Sequence, residues 1–395
     1  MKKINNFIKD TFGAFRVRDK RRKIIKNGDP KKEFSDPIRK LTEEVHPEST
    51  EVKVINIEDA SITSKTFTFK GINGSVLPPF LAGQYVSFDL TIGNTITTRP
   101  FSISSAPFEA RLKENPFFQI TVRKGRNDGF VSNYFYNDVK VGDKFTCHLP
   151  LGQFHYDPLR DSKNVVCIAG GSGITPFYSM AKEVEHGSLN LNLTILYGSV
   201  NTSDMPLFDK LSEIKSDKVK VIPVISGEGN YTGEKGYITK DIIQKYSLED
   251  STYFICGPQV MYEFIKNELN SLNIPERRIK MEVFGSARNV EKLEDYPLSN
   301  LKTFKLSVYR GIDKTVIDAK SNESIAVALE RAGIKNPTRC RSGACGFCRC
   351  KLISGNVYIP KVGDGRRYGD KKYGYIHACS TFPLSDCEIK INIIE

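Results

Sequence analysis

The run Cys340-Arg-Ser-Gly-Ala-Cys345-Gly-Phe-Cys348 sets three thiols at gaps of four and then two residues, and Cys379 follows thirty-one positions after the third. This is the spacing of a plant-type [2Fe-2S] centre. Four thiolates have to converge on two bridged irons, and the intervening Ser, Gly and Ala are small enough for the backbone to curl around them and aim amides at their sulfurs. A four-cysteine zinc site is the alternative. Zinc sites usually pair two knuckles with two-residue gaps, whereas here one gap is of four, one of two, and one ligand is distant. Nine cysteines in 395 residues is an odd number in a long chain, which favours metal ligation over a disulfide framework. Cys350 and Cys387 are left over and are expected as buried small hydrophobes. A centre of this type carries one electron at a time near about −400 mV. The chain therefore needs a supply of single electrons, and a flavin beside a nicotinamide dinucleotide provides one.

Four further constellations suit such a supply. Arg99-Pro100-Phe101-Ser102 closes an alternating run: Arg offers a fork of donors to a phosphate, Phe lies against an apolar ring system, and a Ser hydroxyl reaches a ring nitrogen. Gly129-Phe130-Val131-Ser132 opens a helical stretch whose free amides suit phosphate. Gly170-Gly171-Ser-Gly173-Ile-Thr175-Pro176 follows the apolar run NVVCIA and opens a helix with proline in its first turn. It is not a Gly-x-Gly-x-x-Gly fingerprint and by that rule is a generic strand-to-helix turn. Cys256-Gly257-Pro258 ends a later strand, at the edge where open α/β sheets bind ligands.

The elements that must position these residues change character along the chain. Residues 51–157 hold short runs of period two separated by Gly, Pro and Asn, which predicts an antiparallel β-barrel or sandwich interrupted by one helix at 129–137. Residues 158–288 alternate apolar strands with amphipathic helices, near 175–185, 207–214 and 261–272, which predicts an α/β domain with a parallel sheet covered on both faces. Residues 289–300 read as a linker. Residues 301–395 give strands at 303–311 and 314–320, a helix at 324–333, the cysteine loop, and closing strands at 349–355 and 387–394, a small α+β domain.

Residues 1–50 read as an extension. Ile4, Phe7, Ile8, Phe12 and Phe15 fall near one face at helical spacing, followed by the basic run Arg18 to Lys26 and the breakers Gly28-Asp29-Pro30 and Asp36-Pro37. A short basic amphipathic helix is expected, docking on an acidic partner or an anionic membrane surface, with a solvated arm as the plainer alternative. The first 40 residues carry 14 Lys/Arg against 5 Asp/Glu, so most of the net charge of +12 belongs to this extension. The folded body has little basic excess and no base-reading motif, which argues against a nucleic-acid partner. No window approaches 18 uninterrupted apolar residues and the N-terminus lacks a secretory signal, so a cytoplasmic chain, peripheral at the membrane if the arm docks there, is the expectation.

Taken together, Arg99 to Ser102, Gly129 to Ser132, Gly170 to Pro176, Tyr197-Gly198 and Cys256 to Pro258 resemble the ferredoxin-NADP reductase superfamily, and the cysteine-rich domain resembles plant-type ferredoxins. The combination is similar to iron-sulfur flavoprotein reductases such as phenylacetyl-CoA epoxidase reductases, the NADH reductase of hybrid-cluster protein and oxygenase reductases. The resemblance covers about residues 51–395 and implies a flavin barrel, a nicotinamide domain and a β-grasp ferredoxin domain. It implies that Arg99, Pro100, Phe101 and Ser102 contact the flavin, Ser102 near its reactive nitrogen, and that Gly129, Phe130, Val131 and Ser132 bind its phosphates. It implies that Gly171, Gly173, Thr175 and Pro176 contact the dinucleotide, with Cys256, Gly257 and Pro258 beside the nicotinamide and Phe284 as a ring-stacking aromatic. Ser102 and Cys256 would position the rings rather than act as nucleophiles, and Cys340, Cys345, Cys348 and Cys379 would hold the cluster. Phe101 stands where the family often has Tyr. FAD is favoured and FMN is the alternative. The run Ser199 to Phe208 lacks the Arg that often meets a 2′-phosphate, which favours NADH, while Lys218, Lys220 or Lys235 would allow NADPH. The implied function is an NAD(P)H-dependent reductase that passes electrons to a partner protein, whether an oxygenase, a hybrid-cluster protein or another reductase component. A redox-sensing or tethering module with little turnover is the alternative from another class.

Overall fold

The computed structural model describes residues 2–28, 36–72, 77–111, 114–125, 129–361 and 364–391. The chain divides into an N-terminal unit ending at Val45 and a main body from His46 onward. The N-terminal unit is α1 (Lys2–Asn27) and α2 (Pro37–Val45). α1 is longer than the short helix expected, and the basic run rides on it instead of following it. Lys and Arg are good helix formers, and Gly13 is the lone weak position before Asn27. Asp36 caps α2 by accepting from the amides of Ile38 (3.0 Å) and Arg39 (3.1 Å), and Pro37 occupies its first position. Phe12, Phe15, Val17, Ile24 and Ile25 are exposed. The side chains of Ile4, Phe7 and Ile8, the breakers Asp29 and Pro30, and residues 392–394 of the last expected strand lie outside the described residues.

In the main body, alternation builds the first domain: along β1, Val52 and Val54 are buried while Glu51 and Lys53 face out. Strands β1 (Thr50–Ser61), β2 (Ser64–Gly71), β3 (Tyr85–Ile92) and β4 (Thr95–Ser102), then α3 (Pro107–Arg111), β5 (Phe118–Arg123), α4 (Phe130–Asn137) and β6 (Lys144–Leu151) form it. The six strands make one antiparallel sheet in the order β4-β3-β6-β1-β2-β5. A bridge between Ile103 and Ile120, with the Ser104 amide donating to Gln119 O (2.8 Å), joins its two edges into a barrel. Phenylalanines fill it, with Phe69 stacked on Phe118 at 5.2 Å.

The second domain comprises β7 (Asn164–Gly170), α5 (Thr175–His186), β8 (Asn192–Ser199), α6 (Phe208–Ser212), β9 (Val219–Ile225), β10 (Glu234–Lys235), α7 (Lys240–Tyr246), β11 (Thr252–Cys256), α8 (Gln259–Ser271) and β12 (Ile279–Glu282). Its strands pair in parallel in the order β10-β9-β8-β7-β11-β12. One apolar cluster, including Phe177, Ala181 and Leu211, covers one face; another, including Ile243, Ile265 and Leu269, covers the other. Strand order reverses between β7 and β11, which makes the gap beyond their carboxyl ends the switch point where such sheets bind ligands. The strand-helix alternation predicted this; α7, β10 and β12 are additions to it.

The third domain is β13 (Thr303–Arg310), β14 (Asp313–Lys320), α9 (Ile325–Arg331), β15 (Arg349–Ser354), β16 (Val357–Tyr358), α10 (Tyr368–Lys372), β17 (Tyr375–His377), β18 (Phe382–Pro383) and β19 (Cys387–Ile391). A mixed five-stranded sheet in the order β14-β13-β19-β15-β17 packs on α9 through Ile325, Ala326, Ala328 and Leu329. Cys350 and Cys387 are buried within this core. The preceding segment 289–300 is held against the third domain: Val290 is buried with Tyr358 and Phe382, Tyr296 Oη donates to Ser321 O (2.9 Å), and Tyr358 Oη to Asp295 (2.6 Å).

Candidate functional site

β7 runs to Gly170, and one 3-10 turn, Gly171–Ile174, precedes α5, so the helix opens at Thr175, where the sequence suggests. Thr175 Oγ1 donates to Ser172 O (3.1 Å) and Pro176 sits in the first turn. Gly171 has φ +53°, which favours glycine. At Gly173 a Cβ would run into the Cys256 carbonyl and lie 2.7 Å from the Gly257 nitrogen. The glycine loop and Cys256-Gly257-Pro258 are therefore one structure, packed backbone to backbone across the switch point, although the sequence separates them by about eighty residues. The Cys256 thiol is buried, and burial pushes its pKa well up, so it lines the site as a neutral group.

On the barrel, the Arg99 guanidinium turns back to Thr97 Oγ1 (2.7 Å) and Thr98 O (2.8 Å), and burial, then the nearby Arg341, bring its pKa down to about 9. Phe101 meets Phe135 of α4 at 5.1 Å, which sets β4 beside the helix that Gly129 caps. Ser132 Oγ donates to Gly129 O at 3.2 Å, Val131 is buried and Phe130 is exposed. Buried Ser102 donates to Glu282 Oε2 at 3.2 Å.

Glu282, Tyr262 and Tyr85 were not legible as site residues. Burial drives the Glu282 carboxyl well above the usual range, against the opposing Ser102 hydrogen bond. Tyr262 Oη bonds the Glu282 carbonyl and accepts from the Gly257 amide at 3.2 Å. Ser102, Glu282, Tyr262 and the Cys256-Gly257 turn thus form one connected network. Tyr85 pairs with Ser102 in the β3–β4 register and meets Phe284 edge to face at 5.1 Å. The available signals were the opposition of Tyr85 to Ser102 in a hairpin and an acid at the end of the apolar stretch IKME, which pairs in parallel with β11 so that Glu282 lies beside Cys256.

The four cysteines are close and fall into two pairs. Cys340 Sγ and Cys345 Sγ are 3.2 Å apart, as are Cys348 Sγ and Cys379 Sγ. Amides of Ser342 and Cys345 point at Cys340 Sγ (both 3.4 Å), and that of Gly343 at Cys379 Sγ (3.2 Å). The loop curls through left-handed residues Arg341 (φ +60°), Gly343 (+81°) and Gly346 (+79°). Within each pair the sulfur–sulfur contact lowers one thiol, Cys340 or Cys348, and raises the other, Cys345 or Cys379. Two thiol pairs with amide donors fit two bridged irons held by two sulfurs each, and not one tetrahedral zinc. Arg341, the left-handed residue, is buried and ion-paired with Glu330 (3.0 Å between Nη2 and Oε2).

Residues 282–286 join the two regions. Glu282 holds Ser102, Phe284 meets Tyr85, the Gly285 amide donates to Cys340 O (3.4 Å), and Ser286 Oγ donates to Cys379 O. Of the lysines considered for a 2′-phosphate, Lys218 and Lys220 lie at the start of β9, the edge of the parallel sheet opposite the glycine loop. Lys235 donates to Gly229 O (2.8 Å).

Three family models match: an oxidoreductase FAD-binding domain over residues 51–156, an oxidoreductase NAD-binding domain over 167–267 and a 2Fe-2S iron-sulfur cluster binding domain over 311–384. Among curated proteins, flavohemoprotein A of Dictyostelium discoideum is 32% identical over 243 residues, 59% of either chain. The glycine betaine monooxygenase reductase subunit of Chromohalobacter salexigens is 26% identical over 357 residues, 86% of this chain and 94% of that protein. The chain thus spans about three fifths of the flavohemoproteins it matches and nearly all of that reductase subunit. Among solved structures, phthalate dioxygenase reductase aligns with a TM-score of 0.64 at 23% identity, covering 87% of this chain and 98% of that one, and so shares the fold. With an FAD-binding barrel, a parallel-sheet NAD-binding domain and a cysteine-rich third domain in this order, the chain belongs to the ferredoxin reductase superfamily, as a member that carries its own 2Fe-2S domain.

Proposed function

We propose that the chain is the reductase component of a two-protein redox system, taking electrons from NADH and delivering them singly to an acceptor protein. The observation that carries this is the five-residue path from Glu282 to Ser286, which begins on the partner of Ser102 and ends on the backbone of two cluster cysteines. When bound, FAD accepts electrons two at a time and releases them one at a time, and the iron-sulfur centre accepts only single electrons. The chain's own residues bind and orient. Arg99 and the Gly129 helix start are assigned to the flavin phosphates, and Phe101 and Ser102 to its rings. Gly171, Gly173 and Thr175 bring the dinucleotide onto the backbone, and Cys256 lines the nicotinamide side. Buried Glu282 accepts from the Ser102 hydroxyl and keeps it in place. The run Ser199–Phe208 carries no Lys or Arg of its own, the Arg123 guanidinium beside it is engaged by Asp204, and Lys218 and Lys220 lie on the far edge, which supports NADH over NADPH.

The test is anaerobic titration of the purified protein with NADH and NADPH after flavin and iron analysis. The expected result is FAD and two irons per chain, bleaching of both chromophores by NADH, and, in Cys345→Ser, flavin bleaching without transfer to a one-electron acceptor protein. A colourless or zinc-loaded protein overturns the proposal.

The helix Lys2–Asn27 is assigned a tethering role, with its basic side toward an anionic membrane surface or an acidic partner. No helix among the described residues is long and apolar enough to cross a membrane. Retention of the full chain on anionic vesicles, lost at high salt, tests this.

A further inference from the structure

Of the four cysteines that pair in the third domain, only Cys345 is not fully buried, so the site opens to solvent on its side. A cleft there is lined by Cys345, Phe347, Arg349, Gly365, Arg367 and His377. Its rim carries large side chains that a free surface would not choose: the Phe347 ring is 46% exposed, and Tyr368 and Tyr373 are also exposed.

The far wall of this cleft is built against the sulfur loop. Gly365 lies so close that a Cβ would stand 2.5 Å from Gly343 O and 2.8 Å from Ala344 Cα. Beyond it, Asp364 pairs with Arg366 (2.8 Å) and Lys371 (3.2 Å), while Asp370 accepts from the Arg367 amide (3.2 Å) and pairs with Arg349 (3.3 Å). The two acids of the wall are thereby spent on holding it together. Arg367 and Lys372 are exposed and form no ion pair among the described residues, and half of the Arg349 side chain remains open. Aromatic rings and cations thus surround the most accessible cluster ligand, which is the composition of protein interfaces.

We infer that this face, lined by Phe347, Arg349 and Arg367 and continued by Lys372 beside the Tyr368 ring on α10, is where the electron acceptor docks, and that the acceptor is a protein presenting an acidic surface. The inference rests on the reductase reading and adds the site and the partner's charge to it. Each NADH oxidised to NAD⁺, with release of one proton, would supply two electrons to two successive acceptor molecules. Complementary charge steers the encounter and fixes its orientation, and Phe347 supplies the desolvated contact.

The test uses the full cofactor-loaded chain and two probes, an acidic b-type cytochrome and a basic c-type cytochrome, with binding read by anisotropy of the labelled cytochrome and electron transfer read by its absorbance. A variant carrying Arg367→Glu and Lys372→Glu is compared with one carrying Arg21→Glu and Arg22→Glu on α1, both checked for an unchanged visible spectrum. The expected result is that the unaltered chain prefers the acidic cytochrome, that the cleft variant binds it about tenfold more weakly at low salt, and that the α1 variant matches the unaltered chain. The difference should vanish near about 1 M salt. Unchanged affinity in the cleft variant, or an equal loss in the α1 variant, overturns the docking face. Dye reduction by NADH in every variant shows that such a failure belongs to the docking face alone, whereas no dye reduction by the unaltered chain overturns the reductase reading itself.

Discussion

The barrel makes two seams with its neighbours, and they are built differently. Against the parallel-sheet domain it shares one apolar core: Ala82 and Phe154 from its side cluster with Phe177 and Phe254, and Phe154 meets Phe254 at 5.2 Å. Around that core, Asp204 accepts from Ser61 (2.7 Å), Thr63 (2.8 Å) and Arg123 (2.5 Å), Ser179 donates to Ser105 O (2.6 Å), and Lys182 pairs with Glu109 (2.5 Å). Against the third domain the contacts are polar. Thr98 bonds Thr338, Arg339 approaches His148 Nδ1 (3.2 Å), and His148 Nε2 meets Asp89 (3.0 Å), while the two apolar cores stay separate. A shared core fixes the barrel and the parallel-sheet domain relative to each other. Among the described residues, polar contacts and the connecting segment 282–286 attach the iron-sulfur domain, and such seams resemble transient interfaces.

The hardest blow to the polar seam is Arg341→Ala. It strands buried Glu330 without its cation, which costs about 3 to 5 kcal/mol, and it frees the loop bearing Cys340. The expected outcome is early melting of the third domain, seen as loss of the cluster's visible absorbance on heating while flavin fluorescence stays quenched. Next is Gly173→Ala, inside the parallel-sheet domain that shares the barrel's core. Its methyl collides with the Cys256 carbonyl, so the loop must shift by about an ångström, and such displacement lowers kcat/KM for NADH by about 10²-fold with the bound flavin content unchanged.

Smaller is Asp204→Asn. Burial alone would raise this carboxyl, but the Ser61 and Thr63 hydroxyls, with Arg123, outweigh it and hold it below the ordinary carboxylate range. Its stabilisation is therefore full above the unfolded pKa and is lost as pH falls through the lower folded one. The variant should lose about 1 to 2 kcal/mol at neutral pH and little in acid, by denaturant melts across pH. The smallest effect in acid belongs to Glu282→Gln. With its folded pKa raised, Glu282 favours the native state below the ordinary carboxyl pKa, and that advantage fades as pH rises toward the folded value. The Gln variant should match the parent in acid and show a flatter decline of Tm with rising pH in flavin-free protein, because its amide still meets Ser102.

What could be read from the chain follows from the range over which each signal acts. The cysteine loop was legible because three of its four ligands lie within nine residues and their spacing is dictated by the irons they would hold. The barrel and parallel sheet were legible through periods that bury one face or both. Glu282 was not, because a charged side chain in Ile279–Glu282 reads locally as a surface position, and only the pairing of β12 with β11 turns it inward. Tyr85 belongs to the same case. Segment 289–300 read as a linker on its Asn, Asp and Pro content, yet Val290 and Tyr296 find apolar and hydrogen-bonding places that exist only once Tyr358, Phe382 and Ser321 are folded.

Ser286 is tied to the third domain and Glu282 to the barrel, so only four residue steps separate the two anchorages. Fully stretched, that leash reaches about 14 Å. If the Thr98–Thr338 and Arg339–His148 contacts opened while these two anchorages held, the sulfur loop could draw back from the barrel by no more than that length, and under the proposed function a distant acceptor would have to do the travelling.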